Sequence, residues 1–113
     1  MLDIFVCEDN TIQRQAIVQT IQNAVLIEDL DMQLVLDTGD PYVLLEKLKT
    51  SQNTGIYFLD IDLGSNINGM KLAQQIRLFD PRGFIIFITA HSELMTGSVG
   101  SKKSTASGAG RRK

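Results

Sequence analysis

Apolar runs in this chain end on groups that could do chemistry together. Ile4-Phe5-Val6-Cys7 passes directly into Glu8-Asp9, Ile56-Tyr57-Phe58-Leu59 into Asp60-Ile61-Asp62, and Phe84-Ile85-Ile86-Phe87-Ile88 into Thr89. Carboxylates brought together repel one another, which either raises a pKa or recruits a hard cation. Mg²⁺ suits such a set, because it takes oxygen ligands in octahedral geometry and commonly keeps waters beside one or two carboxylates. The expected ligands are Asp60 and Asp9 directly, Glu8 through a water, and the backbone carbonyl of Asp62. A carboxylate held against Mg²⁺ can attack a phosphoryl group, since the cation offsets charge on the transferring oxygens. The Thr89 hydroxyl could donate a hydrogen bond to those same oxygens.

Convergence requires a scaffold, and the hydropathy pattern supplies one. Short continuous apolar runs, as in buried parallel strands, alternate with helical stripes. After the first run, Asn10 can cap a helix, with Gln13 completing a capping-box pattern. In that helix Ile17, Ile21, Ala24 and Val25 fall on a single face expected to be buried. Gln33-Leu34-Val35-Leu36 reads as the second strand. Asp40-Pro41 is a cap followed by proline at the first helical position, with Leu44, Leu45 and Leu48 as the stripe. After the third run a Gly-, Ser- and Asn-rich loop, Gly64 to Gly69, leads into a helix with Leu72, Ile76 and Phe79 on one face. Asp80-Pro81-Arg82-Gly83 is a turn before the fourth run.

The order is βαβαβαβ, which calls for right-handed crossovers and an open parallel sheet with helices on both faces. In such sheets ligands bind beyond the carboxyl ends of the strands. Glu8, Asp9, Asp60 and Thr89 all fall there.

Charge divides the chain in two. The 113 residues hold 11 Lys and Arg against 13 Asp and Glu, a net charge of −2. Residues 1–95 contain all 13 acids but only Arg14, Lys47, Lys49, Lys71, Arg77 and Arg82 as bases, whereas residues 96–113 contain five bases and no acid. The last segment offers Val99, Ala106 and Ala109 to a core and is rich in Gly and Ser, so it reads as a disordered basic tail foreign to the fold. Its Lys102-Lys103 and Arg111-Arg112-Lys113 clusters lack the aromatic interleaving of a nucleic-acid surface and read as a solvated tail. The acidic body argues against nonspecific nucleic-acid binding.

Length allows one domain. No apolar run reaches the roughly 18 to 20 residues that span a bilayer, and Met1-Leu2-Asp3 lacks a basic signal-peptide start, so no membrane association and a cytoplasmic location are expected. The single cysteine, Cys7, excludes an internal disulfide or Cys-based zinc site and reads as a small buried hydrophobe. His91 reads as a loop histidine. There is no Gly-x-Gly-x-x-Gly after the first strand, which excludes the dinucleotide-binding reading.

Together, Cys7-Glu8-Asp9-Asn10, Tyr57-Phe58-Leu59-Asp60-Ile61, Asn68-Gly69-Met70 and Phe87-Ile88-Thr89-Ala90-His91-Ser92-Glu93-Leu94 resemble the receiver domain of two-component response regulators. The finer wording is similar to the accessory gene regulator A type, LytTR-class transcription regulators of peptide quorum sensing. The resemblance covers about residues 2 to 94. It implies a doubly wound, flavodoxin/CheY-like receiver fold with strand order 2-1-3-4. It also implies phosphorylation of Asp60 by a sensor histidine kinase, Mg²⁺ held by Glu8 and Asp9, and Thr89 as the switch hydroxyl.

The family pattern continues through a fourth helix, a fifth strand ending in Lys, and a fifth helix. Here the likeness stops near Leu94, and Lys102 and Lys103 have no strand before them, so that Lys has no counterpart. The expectation is a partial receiver over 1–95, cut short before its last strand, its helices and its DNA-binding output domain. Stable phosphorylation of the chain as written should then be weak, and the exposed strand from Phe84 to Ile88 should favour self-association. A competing resemblance starts from Asp60-Ile61-Asp62-Leu63, the Asp-x-Asp signature of haloacid-dehalogenase-type phosphatases. That family carries the signature on its first strand, whereas here it follows the third. A non-functional fragment is the other alternative.

Overall fold

The computed structural model describes residues 1–88. Four strands and three helices alternate: β1 Leu2–Cys7, α1 Thr11–Ile27, β2 Met32–Thr38, α2 Pro41–Leu48, β3 Gly55–Asp60, α3 Gly69–Phe79 and β4 Phe84–Ile88. All pairings are parallel, in the order β2-β1-β3-β4, as the family resemblance implies. Thr89 and the segment 96–113 lie outside the described residues.

Local chemistry sets the helix starts. Asn10 Oδ1 accepts the Gln13 N–H, Asp40 Oδ1 the Tyr42 N–H with Pro41 in the first turn, and Asn68 Oδ1 the Lys71 N–H. Each cap satisfies an amide that the helix cannot. The reciprocal half of the expected capping box is taken over, because the Asn10 N–H goes to Glu8 Oε2 instead.

Alternation along each strand divides the side chains between two faces. Phe5, Cys7, Tyr57 and Leu59 pack with Leu44 and Leu48 of α2 and Leu72 and Ile76 of α3 into the main core, in which the Phe5 and Tyr57 rings stack at 5.0 Å. Phe79, expected on the buried stripe of α3, is exposed instead.

The opposite face is covered unevenly. Ile4 and Val6 of β1 are buried, yet α1 contributes no buried residue: Ile17, Ile21 and Val25 are half-buried and Ala24 is exposed. The expected single buried face is therefore only partly realised, because α1 packs over β1 and β2 and no described helix covers β3 and β4 on its side. Phe84 and Ile86 stay 56% and 44% exposed. Beside β2, α1 leaves an apolar groove of about 420 Å³ floored by Leu34.

Candidate functional site

Strand register brings the acids together. Cys7 pairs with Leu59 and Asp60 with Ile88, so the ends of β1, β3 and β4 lie side by side. Glu8 and Asp9 leave β1 at the place where Asp60 ends β3. One carboxylate oxygen from each of the three lies within 4.8 Å of the others.

Their surroundings differ. Glu8 is 1% exposed and Asp60 6%, while Asp9 is exposed. Glu8 Oε2 accepts the Asn10 N–H at 3.0 Å, and Asp60 Oδ1 accepts the Asp62 N–H at 3.2 Å. Glu8 Oε1 is buried with no hydrogen-bond partner among the described residues. Burial pushes the Glu8 carboxyl from 4.5 up to about 7, against the pull of the Asn10 N–H and with the help of the Asp60 charge. Burial likewise raises Asp60, as do the Asp9 and Asp62 charges, while the Asp62 N–H and a hydrogen bond with Glu8 work the other way. The two carboxyls behave as a coupled pair that retains a proton where isolated acids would have lost theirs.

A buried acceptor without a donor, facing two further carboxylates, is the arrangement that a hard cation satisfies. The set fits Mg²⁺ in donor type and number, given that this ion commonly keeps part of its shell as water. Asp62 is exposed and stands in the loop after β3, its side chain outside the cluster and its N–H on Asp60. Cys7 is buried directly behind the site, and burial followed by the Asp40, Asp60, Glu8 and Asp9 charges pushes its thiol up to about 12.

Three supporting residues were given no role at the site by the sequence reading. Arg14 donates from Nη1 to the Glu8 carbonyl at 2.8 Å, and its Nε lies 3.3 Å from Asp37 Oδ1. The cation thus ties the β1 exit to β2 without neutralising the carboxylate cluster. Its isolation was the available signal, since no other base precedes Lys47. Gly69 opens α3 directly under β3: a Cβ there would collide with the Asp60 carbonyl oxygen and come within 2.8 Å of Ile61 Cα. Gly64 adopts φ +60°, the left-handed region that favours glycine, and a Cβ on it would stand 3.0 Å from Asp9 Oδ2. Gly69 lets α3 start against the end of β3, and Gly64 lets the loop pass close to Asp9.

The response regulator receiver domain model matches residues 4–105. The chain belongs to that family. Receiver domains among solved structures agree with it. The response regulatory domain of protein mrkE from Klebsiella pneumoniae aligns at TM-score 0.65 and 28% identity, over 81% of this chain and 70% of that one. The signal receiver domain of a modulated diguanylate cyclase from Desulfovibrio desulfuricans G20, at TM-score 0.62 and 20% identity over 86% and 71% of the two chains, shares the fold.

Among curated relatives, accessory gene regulator protein A of Staphylococcus epidermidis is 52% identical and that of Staphylococcus aureus strain N315 is 48% identical, each over 93 residues, or 82% of this chain. The chain spans 39% of the length of those relatives. As a receiver, its Asp60-Ile61-Asp62 follows the third strand of the sheet, which leaves the phosphatase reading without support. Among the described residues no helix is long and apolar enough to cross a membrane.

Proposed function

We propose that this receiver accepts a phosphoryl group on Asp60 from a sensor histidine kinase, as the input part of a regulator of the accessory gene regulator A kind. The observation that carries the proposal is the meeting of Glu8, Asp9 and Asp60 within 4.8 Å, with Glu8 Oε1 buried and unpartnered among the described residues.

Glu8, Asp9 and Asp60 would hold Mg²⁺, with the Asp62 carbonyl completing the protein's share. Bound there, Mg²⁺ would offset negative charge on the phosphoryl oxygens. The Asp62 N–H fixes Asp60 Oδ1 and so orients the carboxyl plane, which makes Oδ2 the attacking oxygen. Gly64, where a Cβ would stand 3.0 Å from Asp9 Oδ2, keeps a side chain away from that carboxylate. Thr89 follows Ile88 directly and takes the switch hydroxyl in this reading.

In a protein of the relatives' full length, phosphorylation would control a LytTR-type DNA-binding domain in quorum sensing, which places the site in the cytoplasm. The exposed Phe84 and Ile86 beside the β4 edge favour pairing with a second copy; sedimentation at rising concentration reads this directly.

Phosphate transfer tests the assignment. A chain of full receiver length takes up one acid-labile phosphate from acetyl phosphate with Mg²⁺, and Asp60→Asn abolishes the uptake. Uptake that survives the substitution sinks the proposal.

A further inference from the structure

The groove beside β2 lies at the far end of α1 from the carboxylate site. The helix starts two residues after Asp9, and Ile21, Val25 and Leu26 of its later turns line the groove with Leu30 and Leu34, a volume of about 420 Å³. Leu26 is 80% exposed, and Ile27 and Leu30 beside it are also exposed. Apolar side chains standing around an open groove and rimmed by polar groups mark an interaction surface.

The rim carries one sign of charge. Asp29 lines the groove, with Glu28 and Asp31 close to it in the sequence, and all three are exposed. No Lys, Arg or His stands in the sequence between Arg14 and Lys47. The last turn of α1 holds no base either, so its carbonyl end adds partial negative charge where helices favour cations. Asp31 faces the Met1 amino group at 3.4 Å, and no ion pair among the described residues reaches Glu28 or Asp29. A binding partner for this surface is therefore apolar at its centre and basic at its margins.

The form of the occupant follows from β2. It is an edge strand, but its register with β1 jumps from Ile4 opposite Leu34 to Phe5 opposite Leu36. Such a bulge disrupts the row of main-chain groups that an added strand would pair with. A helix needs no such row, and it fills a groove with side chains at i, i+3 or i+4, and i+7. A second copy docked groove to groove would set these acids against the same acids.

We propose that the groove between α1 and β2 docks an amphipathic helix of a partner protein, its aliphatic stripe in the groove and its flanking Lys or Arg against Glu28, Asp29 and Asp31. The site is separate from the carboxylate cluster, so a partner held there leaves Asp60 open to phosphoryl transfer.

Fluorescence anisotropy on the full chain tests the proposal with labelled helical peptides of one length. One has a leucine stripe and lysine flanks, one has glutamate in place of lysine, and one keeps the lysine composition with the stripe scrambled. The first should bind about tenfold more tightly than either of the others, and its lead over the glutamate peptide should shrink in salt. Equal binding of the first and scrambled peptides overturns the groove, and equal binding of the first and glutamate peptides overturns the charge match.

Variants at exposed positions then place the contact. Leu26→Ser should weaken the first peptide about tenfold and Asp29→Asn about threefold, with thermal unfolding unchanged by Leu26→Ser. Asp9→Asn should leave its affinity unchanged. Loss of binding in Asp9→Asn, with none in Leu26→Ser, puts the peptide at the carboxylate cluster and overturns the proposal. Self-association, or adsorption to phosphatidylcholine vesicles, that Leu26→Ser abolishes gives the groove to a second copy or to a lipid surface and overturns it as well.

Discussion

At the amino-terminal end of the sheet, Asp3 Oδ1 receives Gln33 Nε2 at 3.1 Å and Asn53 Nδ2 at 3.2 Å, and Asp80 Oδ2 receives the Gly55 N–H at 2.8 Å and the Tyr57 hydroxyl at 2.7 Å. At the carboxyl end, Glu8 and Asp60 have one main-chain donor each and otherwise face each other and Asp9. Both ends bury carboxylates in the same small sheet. Where neutral donors surround an acid, it acts as a bracket between elements: Asp3 joins β1, β2 and the loop before β3, and Asp80 joins β3 to the turn before β4. Where the donors are withheld, the acids stay electrostatically unsatisfied and able to take a charged ligand. The same residue type is structural at one end and available for chemistry at the other, and the difference lies in its neighbours.

Substitutions at the bracket end should act on stability alone. Asp80→Ala strips the partner from a buried tyrosine hydroxyl and a strand amide, for an expected loss of about 2 to 3 kcal/mol in denaturant unfolding. Mg²⁺ affinity of the remaining folded molecules should stay unchanged, and a parallel loss of that affinity would break the division between the two ends.

A smaller effect belongs to the open end and depends on pH. Glu8 titrates at about 7 in the fold against an ordinary value of 4.5. The folded state therefore holds more protons than the unfolded state between those values. The stability this contributes is fully present below 4.5 and is lost as pH rises through about 7. In chelator, Tm should fall between pH 5.5 and pH 8, and Mg²⁺ should raise Tm at pH 8 more than at pH 5.5. A flat profile would place Glu8 among the satisfied acids.

The smallest change is expected from Asp3→Asn, which keeps the acceptor oxygen for Gln33 and Asn53 and exchanges charge-assisted hydrogen bonds for neutral ones. About 1 kcal/mol is the expected cost, read from the same unfolding curves.

The sequence made the open end easier to read than the bracketed one. Parallel strands need continuous apolar runs, so Ile4–Cys7 and Phe84–Ile88 stood out, and the acids that follow the first and third runs were visible by position alone. The helix starts at Asn10, Asp40 and Asn68 carry their caps locally, within three residues. Nothing local marks the hydrogen bond between Tyr57 and Asp80, which joins residues 23 positions apart. Arg14 stood out as an isolated base, but its target did not, because that target is the main-chain carbonyl of Glu8. The stripe on α1 was read correctly as a pattern, yet burial depends on what covers it, and periodicity does not encode a helix's cover.

Cys7 sits where the two ends of this comparison can be watched in real time. It is the only thiol of the chain, fully buried between the core and the carboxylates, and held at about 12 by burial and surrounding negative charge. An alkylating reagent meets it only when β1 parts from its neighbours, since the thiolate is the reactive form. The rate of its modification is thus an intrinsic clock for opening of the sheet's chemical end, with no label to add and no second cysteine to confuse the reading.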